Sequence, residues 1–124
     1  MRHAAFLAVA LLATPAAADE VATGHNLLPH CQAAHQNLHG RAENPKDDMF
    51  MQGVCLGEIY ATSRMLAAQG RACVPTTMPL RDQLRSVVAY LNLRPEDLQK
   101  DFVDLVRDMM LSMWPCQQRR MIQQ

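Results

Sequence analysis

Beyond its first twenty positions, apolar residues recur along the chain at three- and four-residue steps, and they never alternate with period two for more than a few residues. That spacing lines one face of a helix and argues against strands. A first helix is expected from about Gly24 to Leu38, marked by Leu27, Leu28, Cys31, Ala34 and Leu38. HGRAENPKDD then interrupts the pattern through Gly40, Asn44 and Pro45. A second helix is expected to start near Lys46 to Asp48, whose aspartates suit a helix N-terminus, and to run through Val54, Cys55, Ile59 and Leu66 to Gly70.

GRACVPTTMP forms the next break. Thr76 or Thr77 is expected to cap the third helix, with Pro79 in its first turn. Leu80, Leu84, Val87, Val88 and Leu91 mark that helix. After the link NLRPED, Pro95 is expected to start a fourth helix, with Glu96 and Asp97 at its positive end. Its stripe reads Leu98, Phe102, Leu105, Met109 and Met113, and the last residues, QQRRMIQQ, read as an exposed tail. The expected fold is all-α, a compact four-helix up-down bundle.

The first residues have another meaning. Arg2 and His3 precede an apolar run from Ala4 to Ala13, followed by Pro15 and the small residues Ala16, Ala17 and Ala18. This is the layout of a secretory signal peptide, 1–18. The run is about half the roughly 20 residues that a membrane span needs. Cleavage after Ala18 leaves 106 of the 124 residues, enough for one domain, 19–124. Loss of Arg2 leaves 11 basic against 12 acidic side chains. No basic patch points to nucleic acid, and no second stretch is long enough for membrane insertion.

Export makes two disulfides the expected state of Cys31, Cys55, Cys73 and Cys116. If the helices alternate in direction, Cys31 and Cys55 sit at similar heights on adjacent helices, while Cys73 and Cys116 share one end. The favoured pairs are therefore Cys31–Cys55 and Cys73–Cys116. Cys55–Cys73 is harder to build: a helix to Gln69 carries the chain roughly 21 Å away, and the residues to Cys73 reach back at most about 14 Å. It remains open if the second helix ends early, since four cysteines allow three connectivities.

Little in the chain reads as chemistry. His25, His30, His35 and His39 cluster, and His35 and His39 have the i, i+4 spacing of helical metal ligands, but no acidic partner completes a site. A solvated face is the favoured reading, so no metal is expected. Paired cysteines leave no thiol nucleophile, and no phosphate loop, nucleophile elbow or carboxylate pair stands out. No cofactor and no catalytic residue is expected. Met49 and Met51 flank Phe50 without an evident core role, and a copper site there is the weaker reading.

One resemblance covers roughly Asn26 to Cys116. It rests on Leu27-Leu28 before Cys31, VCLGEIYA at Val54 to Ala61, CVPTTMPLRDQLRSVVAYL at Cys73 to Leu91, and MWPC at Met113 to Cys116. Together these resemble the Rap/Tai family of immunity proteins, which protect bacteria against type VI secretion amidases. The resemblance implies a small helical periplasmic protein, often a homodimer, that binds and blocks a peptidoglycan amidase toxin and is not an enzyme. Glu58 and Tyr60 depart from the family's usual residues, and Thr62 and Ser63 stand where a second glycine is common. The segment expected to enter a toxin cleft is the Asn92–Asp97 link, with Asn92, Leu93, Arg94, Glu96 and Asp97. Arg41 to Asp48 and the charged group Arg81, Asp82 and Arg85 are further candidates. The rival reading is a periplasmic holdase similar to the HdeA type of acid-stress chaperone. A third is an interaction module of the same fold with no toxin partner.

Overall fold

A computed structural model describes residues 22–40 and 48–117 of the chain. The leader, most of the Arg41–Asp48 segment and the tail beyond Gln117 lie outside the described residues. Among the described residues the chain forms α1 (Gly24–Leu38), α2 (Met49–Ala68), α3 (Leu80–Asn92) and α4 (Phe102–Met113), with one 3-10 turn, Pro95–Asp97, before α4. No helix among them is long and apolar enough to cross a membrane.

Each start has a physical cause. Asp48 caps α2 by accepting hydrogen bonds from Phe50 N at 3.0 Å and Met51 N at 3.3 Å. Asp101 caps α4 by accepting from Val103 N at 3.0 Å. Two expectations shift here. Thr76 and Thr77 are spent in a turn that Met78 N closes on Pro75 O, so Pro79 itself takes the cap position of α3 without a side-chain bond. Pro95 starts only the 3-10 turn, because a true cap appears six residues later at Asp101. Replacing Asp101 with alanine is expected to cost about 1 kcal/mol, read as a lower urea midpoint at unchanged m-value.

The core is built from Leu27, Cys31, Cys55, Ile59, Leu66, Leu84, Val87, Leu91, Phe102, Leu105, Val106, Met109 and Met110. The fourth-helix stripe holds for Phe102, Leu105 and Met109, but Leu98 lies before the helix and Met113 is 48 % exposed. Val106 and Met110 widen the buried face instead, as a helix packed on more than one neighbour requires.

Both disulfides form as favoured, Cys31–Cys55 with Cα atoms 5.6 Å apart and Cys73–Cys116 at 4.8 Å. The first joins α1 to the first half of α2, and Asn37 Nδ2 donates to Gln52 Oε1 at 2.8 Å further along, so the two helices are antiparallel. The second ties the loop before α3 to the end of α4, where Cys73 N also donates to Trp114 O at 2.7 Å.

The helices are staggered, however. Gly24 N donates to Lys100 O at 3.0 Å and His25 N to Leu98 O at 2.7 Å, so α1 begins against the residues leading into α4 rather than against α4's end. With 20 residues in α2 and 15 in α1, α2 has length to spare for both neighbours. These bonds satisfy donors that open any helix. They also bring backbone close to Gly24, where a Cβ would meet Leu98 O at 3.2 Å.

Candidate partner-binding surface

The link between α3 and α4 is a run of turns rather than an open loop. Arg94 N donates to Leu91 O at 3.0 Å, Asp97 N to Arg94 O at 3.1 Å, and Lys100 N to Asp97 O at 2.9 Å. Its side chains are also tethered. Asn92 Oδ1 accepts from Gln32 Nε2 of α1 at 2.9 Å. The Arg94 guanidinium lies 3.7 Å from the centre of the Tyr90 ring, and its Nη1 donates to Tyr90 O at 3.3 Å. Asp97 holds Lys100 at 2.7 Å.

That scaffold leaves Leu93 presented to solvent at 77 % exposure, with Glu96 exposed nearby. A single exposed leucine needs no explanation. Leu93, however, walls a groove of about 430 Å³ with Arg85, Ala89, Tyr90, Arg94 and Met113. The arrangement is an apolar floor with guanidinium groups at its edge, which suits a partner side chain more than a reaction. Of the five link residues, Leu93 and Arg94 line the groove, while Asn92 and Asp97 hold the link in shape.

Tyr90 and Met113 were not expected here. Met113 has core spacing, but the helix ends beside it at Trp114 and the packing that would bury it stops. Its place before Trp114-Pro115 is the signal that was available in the sequence.

The salt bridge shifts one titration. The hydrogen bond from Lys100 to Asp97, then the charge of Asp97, raises the Lys100 pKa above its ordinary value. A raised cation pKa stabilises the fold below the ordinary lysine range, and that contribution fades as pH climbs through the raised value. The Lys100 side chain is exposed to solvent, so the stability consequence is small. Asp97→Asn is expected to return the Lys100 pKa toward its ordinary value, readable by NMR titration of the ammonium resonances.

The remaining candidates separate clearly. Asp82 lies 3.6 Å from Arg85 and 4.0 Å from Arg81 in a solvated group, and Arg85 is the member that reaches the groove. Of Arg41 to Asp48, only Asp48 is described, and it is occupied as a cap. The His35 and His39 rings stand 4.4 Å apart, with His39 Nδ1 2.9 Å from His35 O. Among the described residues no group of three or more His, Cys, Asp or Glu gathers in a way that could hold a metal ion. All four cysteines are in disulfides, so no thiol is available as a nucleophile.

Comparison with known proteins returned no match among curated proteins and none among solved structures. The family model of the Rap1a immunity proteins matches residues 23–116, a span that takes in all four helices, both disulfides and the Asn92–Asp97 link. The chain therefore belongs to the Rap1a immunity protein family, a family that points to immunity against type VI effectors and is generally non-enzymatic.

Proposed function

We propose that residues 1–18 direct export, that the 19–124 domain with its 26–116 core acts in the periplasm, and that it binds and inhibits a peptidoglycan amidase toxin of a type VI secretion system. The observation that carries this reading is the family match over residues 23–116. Two disulfides fit an oxidising compartment. The protein acts by occupancy: it holds the toxin's cleft closed to peptidoglycan and performs no reaction of its own. The resemblance stated above also implies that it works as a homodimer.

In this reading Leu93 enters the cleft as the apolar anchor, and Arg94 and Arg85 meet polar or acidic groups at its rim. Nanomolar protection corresponds to about 12 kcal/mol of binding free energy. A few desolvated anchors supply most of such a total, and a link already held by Gln32, Tyr90 and Lys100 loses little entropy on docking.

The test is a titration of the oxidised mature protein, tagged at its N-terminus, against candidate amidase toxins, with pull-down and hydrolysis of peptidoglycan as paired readouts. Inhibition saturating at a fixed stoichiometry is the expected result. Full amidase activity of every candidate toxin at excess protein would overturn the proposal. Apolar-dye binding that rises only toward pH 3 would then point to the holdase reading.

A further inference from the structure

A second cavity, of about 230 Å³, lies between α2, α3 and the loop that joins them, and shares no residue with the groove beside Leu93. Tyr60, Ser63 and Arg64 line it from α2, Val74 and Met78 from the loop, and Gln83 from α3. Its walls are held in place. Met78 N closes the loop on Pro75 O at 2.9 Å, and the Cys73–Cys116 disulfide anchors the start of the loop to the end of α4. A preformed cavity with a few polar groups on apolar walls is the usual form of a binding site.

Gln83 is the informative wall residue. It is only 8 % exposed, and an amide buried so far is normally bonded at both ends. Its Nε2 donates to Met78 O at 3.4 Å, whereas its Oε1 accepts from nothing among the described residues. Exchanging the two ends does not repair this, because Oε1 would then face the Met78 carbonyl. The 3.4 Å bond is long and the last torsion of a glutamine is soft, so a small rotation brings Oε1 to a donor in the cavity. At the mouth, Arg64 is exposed and makes no ion pair among the described residues.

We propose that this cavity takes a side-chain carboxamide, an Asn or Gln of the protein partner, whose N–H donates to Gln83 Oε1 while its C=O accepts from Arg64. The alternatives fail on charge or on bonding. An ammonium group would enter beside Arg64 with no carboxylate in the lining to pair it. A carboxylate accepts from Arg64 but has no hydrogen for Gln83 Oε1. An apolar side chain leaves that oxygen unpaired. A carboxamide carries a donor and an acceptor on separate atoms and has no charge to desolvate.

The occupant belongs to the partner of the groove, because the two sites share one stripe of α3. Gln83 walls the cavity, and Ser86 and Tyr90 wall the groove, at steps of three and four that stay on one helix face. Gln83 and Tyr90 are about 10 Å apart along the axis, the reach of about three extended residues. One toxin segment that carries an apolar residue and, that far along, an Asn or Gln fills both. This rests on the toxin reading above and deepens it by naming the chemistry of the toxin's contact.

Two-dimensional NMR of the oxidised mature protein tests the site without any toxin. The probe is N-acetylglutamine N-methylamide, with its glutamate and norleucine counterparts as controls. The glutamine probe is expected to shift the Gln83 side-chain amide resonances and to saturate near millimolar concentration, the range for about a dozen heavy atoms. The controls should bind at least about tenfold more weakly, since each leaves Gln83 Oε1 unpaired. Gln83→Met should erase that difference and leave the urea midpoint at or above that of the parent, because it removes the orphaned oxygen. In the amidase titration the same variant should inhibit about tenfold less well. Equal binding of the three probes, or no shift at Gln83 with any of them, would overturn the carboxamide site. Selective probe binding with undiminished inhibition by Gln83→Met would overturn the toxin as its occupant. If the parent protein inhibits no toxin, the toxin reading falls, and the probe titration still decides the cavity.

Discussion

Replacing Cys31 and Cys55 together by alanine is expected to lower stability by about 4–5 kcal/mol, more than the same change at Cys73 and Cys116. Chain entropy alone gives the opposite order. The first bond closes a sequence separation of 24 and the second one of 43, so loop closure contributes about 3.5 and about 4 kcal/mol respectively. Burial reverses the order. Cys31 and Cys55 are completely buried in the core between α1 and α2, and losing both sulfurs leaves a cavity there, which adds on the order of 1 kcal/mol. Cys73 is exposed and Cys116 half-buried, so their loss leaves no comparable hole. Urea unfolding of the two double variants beside the parent measures both values. A larger loss for the Cys73–Cys116 pair would show that chain entropy outweighs packing here.

Leu93→Asp is expected to leave the fold intact and to weaken toxin inhibition at least about thirtyfold, the scale of a lost interface anchor. The side chain is 77 % exposed, so a charge there should change stability by less than about 0.5 kcal/mol. At the interface the same charge would have to be desolvated against an apolar contact without a partner. Gln99→Ala is the control. Gln99 is also exposed but lies beyond the Asn92–Asp97 link and does not line the groove, and its loss should change inhibition by less than about threefold. Amidase titrations with each variant, beside their unfolding curves, separate a binding defect from a folding one. Equal inhibition by Leu93→Asp and the parent protein would remove Leu93 as the anchor.

Much of this was legible because helices declare themselves locally. The three- and four-residue spacing placed α1 from Gly24 to Leu38, as found, and the start of α2 was read near Lys46 to Asp48 because carboxylates suit a helix N-terminus, where the structure makes Asp48 the cap. The fourth helix was read less well for the same reason. Pro95 is a correct local signal for a turn, but it could not reveal that Asp101 offers the better cap, nor that the carbonyls of Leu98 and Lys100 are engaged by the start of α1. The link was singled out because it projects. Its groove went unread because Tyr90 and Met113 come from different helices, 23 positions apart.

The helical class, the family to which the chain belongs and most of the core positions of the first three helices could be read from the residues alone; Leu38, at the end of the first stripe, is the exception at 52 % exposure, and the disulfide pairs were favoured without being selected. These depend on periodicity, cap chemistry and the order of short motifs, all of which are written within a few turns of chain. The packed chain was needed to select the disulfide connectivity, to set α1 against the entry to α4, and to leave Leu38, Met113 and the outer apolar side of α2 facing solvent. Those follow from which helix is longer and which neighbour covers which face, and such facts exist only once separate segments share one core.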